Sequence, residues 1–393
     1  MKNSSKKPLG ERIQALYHKG GPFHKYWPLF EAFETFLFSV GTRTKKAPHI
    51  RDAIDLKRVM TLVIYALIPP MCLGIYNIGY QTINAHGMAF SFWLAIWIGL
   101  KIFIPLLVIS YGVGMFWEIV FSIIRKEEVS EGYLVTGLLI PLIVPPTIPW
   151  WQLAVAITFA VILGKEVFGG TGMNIVNVAL LTRAYLFFAH PAWISGDNVW
   201  IYLEKGQHVP DAFTAATPLS MGAAATGDAM PVITAKYSLM DMFVGLIPGS
   251  IGETSKIAIL IGAALMVFAG VASLRVILGC IAGLMATTGL MTVLHPNPTG
   301  MFSLSPVDHL LMGGFLFGVV YMATDPVSSP ETFTGKWVYG FLIGMMTAFI
   351  RVVNPAYPEG TMLAILLLNV FAPLIDYTVV RWNVRARRYR HAQ

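Results

Sequence analysis

From about residue 59 onward the chain alternates long apolar stretches with short polar, glycine-rich or proline-rich punctuation. A helix takes roughly 20 mostly apolar residues to cross a hydrocarbon core, so each long apolar stretch reads as a candidate span. About ten emerge, near Val59–Tyr80, Ile104–Ile124, Gly132–Val144, Gln152–Phe168, Ile175–Phe188, Ile257–Ala272, Val276–Leu294, His309–Ala323, Val338–Val352 and Thr361–Val379. Several fall short of a full crossing and are flanked by Gly or Pro. Such segments predict broken or tilted helices whose freed backbone groups face protein rather than lipid. The expected fold class is an all-α polytopic membrane protein of about ten transmembrane helices.

Composition agrees with this pattern. The 393 residues are 55% hydrophobic and 12% charged, against about 25% charged in soluble domains. That balance argues against a disordered chain or a nucleic-acid binder. The two cysteines, Cys72 and Cys280, are too few for a disulfide scaffold or an all-cysteine iron–sulfur site.

The positions of the charges say more than their net value of +7. Twelve of the 28 Lys and Arg precede Val59 and five lie between Arg381 and Arg390. The positive-inside rule then puts both termini in the cytoplasm, with Arg125, Lys126, Lys165, Arg275 and Lys336 in inside loops. Lys101, Lys205 and Lys236 are the exceptions. The polar segment 190–255 falls on the outer face, and five spans on either side of it predict an inverted five-plus-five repeat. Gly164-Lys165 and Gly335-Lys336 occupy comparable inside segments of the two halves. The chain thus divides into a cytoplasmic N-terminal segment (1–56), a first membrane half (57–189), an outer loop (190–255), a second membrane half (256–380) and a basic cytoplasmic tail (381–393). Polar sequence at the start is unlike a signal peptide. Trp27–Phe38, too short to span, suits either the membrane interface or a partner protein.

Four places carry candidate chemistry. In the outer loop, Pro210–Leu219 is a run of small residues around Thr214 and Thr217, offering either an accessible hydroxyl or a helix cap. Gly169-Gly170-Thr171-Gly172 lacks the preceding strand and the Gly-Lys-Ser/Thr ending of a phosphate loop. It reads better as a helix break at which Asn174 and Asn177 face a planar polar ligand or merely satisfy the backbone. Tyr111–Glu118 combines glycines, an aromatic pair and an intramembrane acid, a combination that suits a quinone headgroup or ordinary helix packing. Asp325 and Asp376 lie near the inner ends of their spans, where an unpaired charge costs ~2.5–3.5 kcal/mol. Carboxylates beside broken helices are suitable sodium ligands. The alternatives are a helix cap for Asp325 and a salt bridge to the basic tail for Asp376.

Asp211-Ala212-Phe213-Thr214-Ala215-Ala216-Thr217 resembles the motif read by the extracytoplasmic flavin transferase, which attaches FMN to the last threonine through a phosphoester. The resemblance implies covalent FMN on Thr217, with Asp211, Thr214 and Ala216 as recognition positions. It extends over Ile54–Arg58, Gly164–Gly172, Ile247–Glu253, Met322–Val327 and Arg351–Gly360, all similar to the family of B-type membrane subunits of sodium-translocating NADH:quinone oxidoreductases. Membership would imply a bacterial inner-membrane protein with non-covalent riboflavin near Asn174 and Asn177, and quinone near Gly114 and Glu118. It would also imply sodium handling by acids such as Asp325 and Asp376, partner subunits that supply electrons from NADH, and contact with membrane lipid. The competing class is a flavin-free channel or solute transporter of the same layout.

Overall fold

Lipid offers no hydrogen-bond partner to a backbone, so a chain this apolar has to close its own N–H and C=O groups, and it does so in helices. The computed structural model describes residues 56–127, 132–197, 199–203, 215–295, 299–354 and 357–391. The segment Trp27–Phe38 and the motif positions Asp211 and Thr214 lie outside them. In chain order the helices are α1 (Leu56–Ala85), α2 (Phe92–Arg125), α3 (Gly132–Ile143), α4 (Trp150–Gly164) and α5 (Val178–Ala189). After them come α6 (Pro218–Ala224), α7 (Ala229–Thr234) and α8 (Leu239–Val244). The rest are α9 (Lys256–Phe268), α10 (Leu274–Leu294), α11 (Pro306–Leu311), α12 (Phe315–Tyr321), α13 (Phe333–Val353) and α14 (Thr361–His391). Among the described residues there is no strand, only an isolated bridge between Asp228 and Gly300.

Six helices, α1, α2, α4, α10, α13 and α14, are long and apolar enough to cross a membrane. Helices α3, α5 and α9 are shorter and apolar. The expected span at His309–Ala323 is split into α11 and α12 around Gly313, whose φ of 65° suits a residue without a Cβ. The described residues of the segment 190–255 are more than a plain polar loop, since they include helices α6 to α8. Ser238 and Asp241 close a capping box on α8.

The two halves share much of one packing scheme, although α1 packs closely on α2 in the first while their counterparts α9 and α10 make at most slight contact. In the first, α2 packs on α3 and α4, α1 on α3, α3 on α5, and α4 on α5. In the second, α10 packs on α11, α12 and α13, α9 on α12, α12 on α14, and α13 on α14. The halves meet through α1 against α9 and α5 against α14, so each of these helices touches its own counterpart. That is the contact pattern of a two-fold relation. It refines one detail of the sequence reading: Gly164-Lys165 lies at the end of α4, whereas Gly335-Lys336 lies at the start of α13, so the two pairs do not occupy the same repeat position.

Helices α10 and α13 approach through glycines. A Cβ on Gly344 would lie 2.0 Å from the Cys280 carbonyl oxygen, and one on Gly283 would lie 2.1 Å from that of Phe341. Small residues let backbones come this close where dispersion, not water exclusion, holds helices together. Gly344→Ala is therefore expected to cost at least ~1–3 kcal/mol through forced backbone separation. Gly112→Ala, whose Cβ would meet nothing within 4 Å, should leave stability unchanged or raised. Thermal unfolding midpoints of the two variants in detergent check both.

Candidate functional site

Two cavities lie at opposite ends of α9 and α12. The larger, beside α6, has a volume of about 310 Å³, and its lining includes Thr217, Ser250, Glu253, Thr254, Lys256 and Glu359. The smaller, about 80 Å³, is lined in part by Lys165, Thr171, Asn174, Asn177, Tyr321 and Asp325. We call them the loop-side and far-side cavities. The far-side cavity gathers the start of α1 (Val59), the start of α3 (Gly132) and the turn before α5 (Asn174, Asn177). The loop-side cavity gathers the start of α9 (Lys256), the turn into α12 (Gly313) and the turn before α14 (Tyr357, Glu359). These are corresponding elements of the two halves, so the repeat has produced one cavity at each end.

Thr217 is the N-cap of α6. Its Oγ1 accepts from the Ser220 backbone N–H at 3.2 Å, and Pro218 fills the first helical position. The residue is half-buried at the cavity lining. The neighbouring Ala216 carbonyl accepts from Tyr237 Oη at 3.1 Å. Burial, aided by the Asp197 carboxylate, pushes the Tyr237 phenol above its ordinary pKa, which keeps it a donor.

Under Thr217 lies an ionic cluster; Glu253, Arg351 and Glu359 fall in the resembling segments Ile247–Glu253 and Arg351–Gly360, but the sequence did not show that they come together. Arg183 of α5, 3% exposed, donates to Glu253 Oε1 at 2.6 Å and also pairs with Glu359. Lys256 Nζ donates to the carbonyls of Glu253 (2.9 Å), Thr254 (3.3 Å) and Gly313 (3.0 Å). Arg351 reaches the carbonyls of Glu359 and Met312 at 3.1 Å each, and that of His309. The signal was present in the sequence: Arg183 and Arg351 each sit inside an apolar span, where a charge marks a partner or a site. Among the described residues the buried Thr254 Oγ1 has no hydrogen-bond partner.

The far-side cavity brings together residues that the sequence offered for different ligands. Gly169, Gly170 and Gly172 all have positive φ, between 89° and 124°, and carry the chain from α4 toward α5. Asn177 caps α5, its side chain accepting from Leu180 N–H at 3.2 Å, while Asn174 Nδ2 donates to the Val176 carbonyl at 3.0 Å. Thr171 Oγ1 has no partner among the described residues. Asp325, expected as a cation ligand or a helix cap, lines the same cavity and closes its own turn, accepting from Val327 N–H and Ser328 Oγ at 3.1 Å each.

Gly114 and Glu118 line neither cavity. A Cβ on Gly114 would lie 1.8 Å from the Tyr133 ring, so this glycine makes room for Tyr133. Glu118 is buried and forms a salt bridge with Lys165, which lines the far-side cavity. Asp376 holds the N-cap of α13, Thr332, in place: Oδ2 accepts from Glu331 N–H at 2.7 Å, and Oδ1 accepts from the N–H (3.1 Å) and hydroxyl of Thr332. Among the described residues no salt bridge joins it to the arginines of the tail.

A family model described as the NQR2, RnfD, RnfE family matches residues 43–385. The chain belongs to this family. Relatives include proteins named as B-type subunits of Na(+)-translocating NADH-quinone reductase from Klebsiella pneumoniae, Yersinia pestis and Chromohalobacter salexigens. The first is 47% identical, covering 98% of this chain and 99% of the relative. The second is 45% identical, covering 97% and 98%. The third is 44% identical, covering 97% and 96%. The long helices and the family membership together make the chain an integral membrane protein.

The Glu118–Lys165 pair yields a direct test. Glu118→Leu or Lys165→Met alone strands a buried charge and should destabilise by ~3–5 kcal/mol. Glu118→Leu combined with Lys165→Met should recover much of that loss. A double-mutant cycle of unfolding midpoints reads the coupling, and purely additive effects would show that the pair does not act as a unit.

Proposed function

We propose that this chain is the B-type membrane subunit of a sodium-translocating NADH:quinone oxidoreductase. In this reading it carries FMN as a phosphoester on Thr217, holds riboflavin at the far-side cavity, and passes electrons from partner subunits to quinone as sodium moves. Both termini are cytoplasmic and the Thr217 segment faces outward, where a flavin transferase acts. The flavins supply the redox chemistry; the chain positions them and excludes water. The observation that carries the reading is that Thr217, the threonine in the flavin-attachment position, lines the larger of the two cavities.

The loop-side cavity suits its proposed group. Its volume falls within the ~300–1,000 Å³ of sites for ligands of this size, and the unpartnered Thr254 hydroxyl offers a polar contact. The far-side cavity has suitable polar groups in Asn174, Asn177 and Thr171. At about 80 Å³, however, it lies far below that range, and the cavity as it stands is too small for a flavin ring, so the riboflavin reading rests on these polar groups and the resemblance. Gly114 and Glu118 are assigned to the quinone side on the resemblance. Glu118 would then act through Lys165, whose ammonium it holds at the cavity. Asp325 is the better placed acid for sodium handling, because it lines the far-side cavity, whereas Asp376 lines neither cavity.

Full-length chain produced with the transferase should give a fluorescent flavin band after denaturing electrophoresis, and Thr217→Ala should give none. Thr217→Ser, which keeps both the hydroxyl and the cap, should retain helix α6 and be open to modification. A dark wild-type band beside a flavinylated control substrate would instead favour a flavin-free channel or transporter.

A further inference from the structure

We infer that the Thr254 hydroxyl and the Glu359 carboxylate form a recognition floor for the imide edge of a flavin ring in the loop-side cavity. The inference rests on the flavin reading and adds residues to it. The imide edge of an isoalloxazine presents one N–H donor between two carbonyl acceptors. A matching floor needs a carboxylate or carbonyl for the N–H and a donor for a flanking oxygen. Thr254 and Glu359, which carry these two groups, both line the loop-side cavity.

Thr254 is 3% exposed, and its hydroxyl has no partner among the described protein atoms. A buried hydroxyl left without a hydrogen bond is costly, so its retention beside a cavity points to a ligand group that satisfies it. Glu359 reaches the same lining and is held in place. Arg183 pairs with one of its carboxylate oxygens, and Arg351 donates to its backbone carbonyl at 3.1 Å. Arg183 also pairs with Glu253 at 2.6 Å, so one guanidinium orients both acids of the floor.

The attachment point sets which end of the ligand goes where: a phosphate esterified to Thr217 leaves the uncharged ring edge free to donate to a floor carboxylate. The phosphoester end belongs with Thr217 and the ring edge with Thr254 and Glu359. Lys256, held by three carbonyls, serves the shape of the floor instead of contacting the ring.

The experiment uses full-length chain produced with the transferase and purified in detergent, comparing wild type, Thr254→Val and Glu359→Gln. The denatured flavin band should be equally bright in all three, because the substitutions leave the attachment motif intact. In the folded protein, both variants should lose the induced visible circular dichroism of the covalent flavin, and its native fluorescence should rise as the ring leaves the floor. Made without transferase, Thr254→Val should melt no lower than wild type, since an unpartnered hydroxyl gives the fold nothing to lose. Unchanged dichroism and fluorescence in Thr254→Val would overturn the floor, with ordered water then serving the hydroxyl. A lower melting point for flavin-free Thr254→Val would also overturn it by showing a structural role. A dark wild-type band would remove the flavin reading itself, an outcome distinct from a bright band with unchanged spectra.

Discussion

The structure depends on one buried guanidinium. Arg183 lies on α5 in the first membrane half, and its partners lie beyond it: Glu253 at the end of the 190–255 segment, just before α9, and Glu359 in the turn before α14. These turns lead into α9 and α14, and the loop-side cavity opens between them. A charge at this burial persists only when its partners are well placed, because the cost of removing it from water is several kcal/mol per ion. Arg183 therefore ties the two halves together and fixes the turns that shape the cavity. Lys256 and Arg351 extend the same arrangement by satisfying the carbonyls exposed where helices stop.

Everything around that point follows from how a membrane chain deals with its backbone. Long helices such as α2 and α14 need no help, whereas α3, α5, α9 and α12 are too short to cross alone. Their ends are closed by caps and cross-chain contacts: Asn177 on α5, Ser255 on α9, and the Leu142 carbonyl accepting from Gly252 N–H at 2.8 Å. The short helices leave polar groups at two depths, and cavities form there. Tyr321 at the end of α12 lines the far-side cavity and also donates to the Ala66 carbonyl at 2.8 Å. The lining of one cavity is thus part of the joint between the halves.

Much of this was legible in the sequence. Apolar run lengths marked the helices, and the Gly or Pro flanks of the shorter runs marked the breaks, because both signals act locally along the chain. The split at Gly313 and the helices of 190–255 were less visible. They depend on a single positive φ and on caps such as Ser238 with Asp241, which a hydropathy window averages away. For the candidate site, Thr217, Asn174, Asn177 and Asp325 were named from sequence and all line a cavity. What the sequence could not supply was pairing. Glu118 and Lys165 are 47 positions apart, and Arg183 and Glu359 are 176 apart. Each looked like an isolated charge until the fold brought it to its partner. Asp376 shows the converse: an acid at membrane depth whose oxygens are engaged by the start of the neighbouring helix.

The self-paired contacts, α1 with α9 and α5 with α14, place the joint between the halves on a pseudo-two-fold relation, so a change in one of these helices acts on its own counterpart. The cavities built from corresponding elements are nevertheless unequal. One is about 310 Å³ with a threonine beside it, while the other is about 80 Å³ with two asparagines. Equivalent places in the two halves therefore offer different chemistry to whatever fills them.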